Sequence, residues 1–132
     1  MGMFRALVLE MADGKVTPAV RSVSTESLPA GDVVIDVAYS TINYKDGLIL
    51  KGRDGMRRAY PHVGGIDLSG TVESSSDPHY KAGDKVVVTG WQLGEIQWGG
   101  FAEKARVKAG WLVPLPKDLS LKDAMAIGTA GF

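Results

Sequence analysis

Turn signals recur every few residues along this chain, and short runs of β-branched residues fill the gaps between them. Asp13-Gly14 separates Ala6 to Glu10 from Lys15 to Val20. Asp-Gly tolerates the positive φ angles that a two-residue hairpin turn demands, so these runs are expected as a hairpin. Ser22 to Ser27 is polar and is expected as an edge strand. Pro29-Ala30-Gly31-Asp32 is a turn that Pro29 closes to any helix. Val33 to Tyr39 is the clearest strand, and its incomplete alternation points to burial on both faces. Leu68 to Glu73, Lys85 to Thr89, Phe101 to Val107 and Trp111 to Pro114 complete the β part. Turns are expected at Ser74 to Pro78 and Lys81 to Asp84, and Gly90 to Gly100 forms an aromatic, glycine-rich loop. With 17 glycines in 132 residues, the chain is expected to be mainly β with short helices, folded as a small, partly open barrel and not as a doubly wound sheet.

Two helices interrupt this pattern. The first is placed at Tyr44 to Lys51, with Gly52 as its C′ residue. The second follows Ser120-Leu121-Lys122-Asp123, which resembles a capping box with Asp in place of Glu, and continues through Ala124 to Ile127. The run Gly128-Thr129-Ala130-Gly131-Phe132 is apolar to its last residue and reads as a cut end.

Charge and composition exclude several roles. Lys plus Arg and Asp plus Glu both number 15, for a formal net charge of +0. That balance gives no support to nucleic-acid binding or to adhesion to an acidic membrane. No apolar run approaches the ~18 residues of a membrane helix. Cysteine is absent, which rules out disulfides and thiolate metal sites and agrees with a reducing cytoplasm. His62 and His79 lack metal-ligand spacing, so no metal is expected. Gly64-Gly65 and Gly99-Gly100 do not form a G-x-G-x-x-G cradle between strand and helix, so this chain is not expected to hold a dinucleotide alone.

The junction Thr41-Ile42-Asn43-Tyr44-Lys45-Asp46-Gly47 lies between the clearest strand and the first helix. It collects an amide, a phenol and a carboxylate where a plain turn would need one polar group. Two readings stand. In the local one, Asn43 caps the helix through its side-chain oxygen and Asp46 faces the helix dipole. In the chemical one, the three groups face a ligand at the rim of the domain.

Taken in order, the landmarks resemble the catalytic domain of the medium-chain dehydrogenase/reductase superfamily. They are Ile42-Asn43-Tyr44-Lys45-Asp46, Gly65-Ile66-Asp67-Leu68-Ser69-Gly70-Thr71-Val72, Gly83-Asp84-Lys85-Val86, Gly99-Gly100-Phe101-Ala102-Glu103 and Gly128-Thr129-Ala130-Gly131-Phe132. Leu28-Pro29 with Gly31-Asp32, the Asn-Tyr-Lys-Asp tetrad, Gly65-Ile66-Asp67 and Thr89-Gly90-Trp91 look like its zinc-free quinone oxidoreductase-like branch, near the NADPH-dependent acrylyl-CoA reductases. The resemblance implies a chaperonin-10-like (GroES-like) barrel over residues 1–120. Residues 121–132 would then begin the connection to a nucleotide-binding Rossmann domain.

The resemblance also implies a chemistry. NADPH, bound mainly by the Rossmann domain, would deliver hydride to the C=C bond of acrylyl-CoA or a similar α,β-unsaturated thioester. Asn43 and Tyr44 would donate to the carbonyl oxygen where charge builds. Asp46 or Asp67 would serve as proton donor or organise water, against a structural role bonding backbone amides. Tyr44 and Thr129 would contact the cofactor, Trp91 would either wall the pocket or pack inside, and the basic cluster Arg53, Arg57 and Arg58 would meet the CoA end of the substrate. The alternatives are a quinone or enone oxidoreductase of the same superfamily and a non-enzymatic chaperonin-10-like binding module. The apolar stretch Leu121 to Phe132 is expected to support self-association, including a homodimer.

Overall fold

The computed structural model describes residues 2–52, 59–91 and 93–128. Its first element is a hairpin of β1 (Met3–Ala12) and β2 (Lys15–Ser24), paired along its whole length from Met3↔Ser24 to Ala12↔Lys15. The turn is the expected one, with φ of 51° at Asp13 and 74° at Gly14. Both strands run past their expected ends because each residue added to the ladder finds its backbone partner on the other strand. Ser22 to Ser27 is accordingly not a separate edge strand. Ser22 to Ser24 finish β2, and Thr25–Ser27 form a 3₁₀ turn in which Ser24 Oγ accepts the Glu26 N–H at 3.2 Å.

β3 (Val33–Ser40) is an interior strand of the second sheet. It pairs with β5 (Asp67–Ser75) on one side and β7 (Lys104–Val107) on the other, and β6 (Lys85–Thr89) and β8 (Val113–Pro114) extend the sheet in the order β7-β3-β5-β6-β8. The first sheet has the order β2-β1-β4, with β4 at His62–Val63. Two-sided burial of β3 holds in its first half. Val33 and Ile35 enter the main core with Leu68, Val86, Val88 and Val107, while Val34 packs on the other side against the cluster of Phe4, Val8 and Val63.

The expected strand Phe101 to Val107 is divided between the two sheets, and this joins them. The Leu7 N–H donates to the Phe101 carbonyl at 2.8 Å and the Glu103 N–H to the Arg5 carbonyl at 2.9 Å, while Lys104 to Val107 pair with β3. One segment thus stitches β1 to β3 and produces the partly closed barrel.

α1 (Tyr44–Leu50) follows β3 and ends at Gly52, whose φ is 67°. Its buried face carries Ile49, which packs with Leu9 and Ile66 in a third cluster. α2 (Leu121–Ile127) starts as expected, with Ser120 Oγ accepting the Asp123 N–H at 3.0 Å. It lies across β3, β5 and β6, buries Ala124 and Met125, and is tied to the sheet where Ser69 Oγ donates to the Leu121 carbonyl at 2.8 Å. Among the described residues no helix is long and apolar enough to cross a membrane.

Candidate active site

The strand-to-helix junction after β3 meets the start of β5. Asp46, in the first turn of α1, reaches back so that its Oδ2 accepts the Asn43 backbone N–H at 2.7 Å. This is the return half of a capping box and satisfies a helix-end donor. Its other oxygen, Oδ1, accepts the Ile66 N–H at 3.0 Å, fastening α1 to the segment that leads into β5. These two bonds bury the carboxyl to 1 % exposure.

Asp67, the first residue of β5, is fully buried. Its Oδ2 accepts the Thr41 hydroxyl at 2.7 Å and the Asn43 amide Nδ2 at 3.1 Å, and its backbone carbonyl accepts Ser40 Oγ at 2.7 Å. Asn43 Nδ2 also lies 2.8 Å from Thr41 Oγ1 and 3.4 Å from Asp46 Oδ2. A single amide therefore stands between two buried carboxyl groups.

The electrostatics follow from this crowding. Burial raises the pKa of Asp46 above the ordinary carboxylate value, the Asn43 and Ile66 N–H groups pull it part of the way back, and the neighbouring charge of Asp67 adds to the rise.

Beside this cluster lies a cleft of about 700 Å³, lined by Asn43, Tyr44, Asp46, Leu48, Lys51 and Phe101 among others. Tyr44 is 84 % exposed as the first residue of α1, and Ile42 beside it is 89 % exposed. The site thus has the buried Asp46 carboxyl on its wall, Asp67 behind it through Asn43, and an exposed aromatic ring at its lip.

Asn43, Tyr44 and Asp46 line one cleft, and Asp67 joins them through the Thr41 and Asn43 bonds. Thr41 was not among the expected site residues. Its only advance signal is a hydroxyl at a strand end, and its importance depends on a carboxylate supplied by a different strand. Thr129 and the cluster Arg53, Arg57 and Arg58 lie outside the described residues. Trp91 neither lines this cleft nor packs inside: a φ of 58° turns it outward, where it is 59 % exposed and stacks on Trp111 with centroids 6.5 Å apart. His62 is fully buried and holds the Gly90–Gly100 loop through Nε2, 2.7 Å from the Gly94 carbonyl. Among the described residues no three His, Cys, Asp or Glu side chains are grouped to hold a metal ion.

Comparison with known proteins places this geometry in a family. Residues 29–117 match the alcohol dehydrogenase GroES-like domain. The chain is 56 % identical over 132 residues to the acrylyl-CoA reductase AcuI of Ruegeria pomeroyi, covering 98 % of this chain and 40 % of that protein. The crystal structure of Escherichia coli K-12 YhdH with bound NADPH superposes with a TM-score of 0.92 at 49 % identity, over 96 % of this chain and 39 % of that one. The Bacillus subtilis protein YhfP with NAD bound does so with a TM-score of 0.94 at 50 % identity, over 99 % of this chain and 40 % of that one. The chain thus spans about 40 % of the length of these relatives. It belongs to the alcohol dehydrogenase GroES-like domain family of the medium-chain dehydrogenase/reductase superfamily, in the branch that includes acrylyl-CoA reductase.

Proposed function

We propose that this chain is the substrate-side domain of an NADPH-dependent reductase acting on the C=C bond of acrylyl-CoA or a similar α,β-unsaturated thioester. One observation carries the reading: the exposed Tyr44 ring lines one cleft with Asn43 and Asp46, and Asn43 bonds the buried Asp67 behind them. The flat face of Tyr44, with Ile42 and Leu48 beside it, fits a nicotinamide ring. No glycine-rich phosphate cradle accompanies them, so the rest of the cofactor would be held by other polypeptide. Thr129 completes our proposed cofactor contacts. NADPH, when bound, supplies hydride to the β-carbon.

The protein's own part is to meet the charge that then builds on the thioester oxygen and to protonate the α-carbon. Tyr44 donates to that oxygen from the lip of the cleft. Both hydrogens of the Asn43 amide face acceptors on Thr41 and Asp67, so we assign Asn43 to holding the carboxyl pair and give the donor role to Tyr44. Asp46, whose burial favours the protonated form, delivers the proton, and Asp67 keeps the Thr41–Asn43 network in register. A hydride on one carbon and a proton on the other saturate the double bond.

The test is an assay of the longer protein carrying this domain, with NADPH and either acrylyl-CoA or a simple quinone. Preference for acrylyl-CoA, lost on Asp46→Asn, is expected. Preference for the quinone would favour the second reading, for which the apolar walls Leu48, Leu50 and Phe101 speak. Turnover of neither, together with a ring-shaped assembly in native mass measurement, would leave the non-enzymatic module.

A further inference from the structure

The tip of α2 rests on the carboxyl cluster. Gly128 closes the last turn of the helix by donating its N–H to the Ala124 carbonyl at 3.0 Å, and it takes φ 52° and ψ −164°, a combination that essentially only glycine adopts. A Cβ placed there would stand 3.0 Å from Thr41 Cγ2, 3.1 Å from Asp67 Oδ2 and 3.3 Å from the Met125 carbonyl oxygen. The helix cannot easily yield to such a contact. Its first turn is capped by Ser120 and tied to β5 through Ser69, and Ala124 and Met125 are buried beneath it.

We propose that Gly128 is a positioning residue for the carboxyl pair: the tip of α2 sets the place of Asp67 Oδ2, and displacing that tip moves the one oxygen that the Thr41 hydroxyl and the Asn43 amide share. The inference deepens the proposed function, resting on the reading that the pair serves the reaction, but it does not depend on which acceptor is reduced. α2 is then a strut whose axial position is felt at the site, and whatever shifts α2 tunes the pair without touching it.

The test follows the side-chain carboxyl carbon resonances of Asp46 and Asp67 by NMR at one fixed neutral pH in the 132-residue chain. Gly128→Ala is expected to move the Asp67 carboxyl resonance, and with it that of Asp46, by more than a line width, because a displaced Oδ2 loses one or both of its donors. Thr41→Ser keeps the hydroxyl and removes the methyl that the new Cβ would strike. The double variant Thr41→Ser/Gly128→Ala is therefore expected to return part of the way to wild type. A folded Gly128→Ala chain with wild-type carboxyl resonances overturns the proposal. Should Gly128→Ala alone fail to fold, a double variant that folds supports the contact with Thr41, and one that also fails to fold overturns it. Failure of the longer protein to reduce acrylyl-CoA would sink the proposed function and leave these resonances unaffected.

Discussion

Asp46 and Asp67 are linked through one amide, with Asn43 Nδ2 lying 3.1 Å from Asp67 Oδ2 and 3.4 Å from Asp46 Oδ2. The first carboxyl belongs to a helix and the second to a strand, so the amide is a tether between elements as well as a screen between like groups. Removing it takes one donor from each of two buried carboxyl oxygens, which keep the Asn43 backbone N–H and the Thr41 hydroxyl.

Asn43→Ala is therefore expected to destabilise the domain by ~1.5–3 kcal/mol, the usual scale of a hydrogen bond to a charged group. Urea unfolding of the 132-residue chain measures it. A loss below ~0.5 kcal/mol, the scale of an ordinary surface change, would mean that water replaces the amide without penalty.

The raised pKa of Asp46 gives stability a definite dependence on pH. A carboxyl whose pKa is higher folded than unfolded binds its proton more tightly in the folded state. Its contribution is fully present below the unfolded value, ~4 for Asp, and is lost as pH rises through the higher folded value. The advantage of wild type over Asp46→Asn in urea unfolding is expected to be largest in acid and to shrink with rising pH across that window. An advantage that grows with pH would show that the Asn43 and Ile66 N–H groups outweigh burial.

Parts of this architecture were readable in the linear chain because they depend on local chemistry. Asp13-Gly14 specifies its own turn, and Ser120 with Asp123 specifies the start of α2. The ends of β1 and β2 were not readable, since Met3 and Ser24 are strand residues only because they face each other. In the site, Asn43 and Asp46 announced a helix start, and spacing alone favoured a plain cap over a reactive group. That Asp67 meets them came from family resemblance, and Thr41 escaped notice because its partner arrives from another strand. Trp91 was misplaced because the backbone of a glycine-rich loop, and not the apolarity of the ring, decides which way it points.

Lys51 carries a positive charge onto the wall of the cleft, at the end of α1 and next in sequence to the basic segment that holds Arg53, Arg57 and Arg58. A CoA ester brings phosphates to such a mouth, and a small enone does not. In the longer protein, Lys51→Glu is expected to raise KM for acrylyl-CoA several-fold with little change in kcat, and to leave KM for a small uncharged enone where it was. Equal effects on both acceptors would remove Lys51 from recognition of the phosphates.

Tyr44 offers the sharpest separation between fold and chemistry. Its ring is 84 % exposed, so losing the hydroxyl takes nothing from the core, and Tyr44→Phe should change stability by no more than ~0.5 kcal/mol. A donor aimed at developing negative charge is typically worth ~2.7–4 kcal/mol in the transition state. Turnover of acrylyl-CoA by the longer protein is therefore expected to fall at least tenfold in Tyr44→Phe, kcat and kcat/KM falling together because the bond matters most once charge has formed. Binding of NADPH, measured separately by fluorescence, should change little, since Phe keeps the flat face proposed to meet the nicotinamide. Unchanged turnover in Tyr44→Phe would put the oxygen's donor elsewhere, and a fall traced wholly to weaker NADPH binding would make Tyr44 a cofactor contact alone.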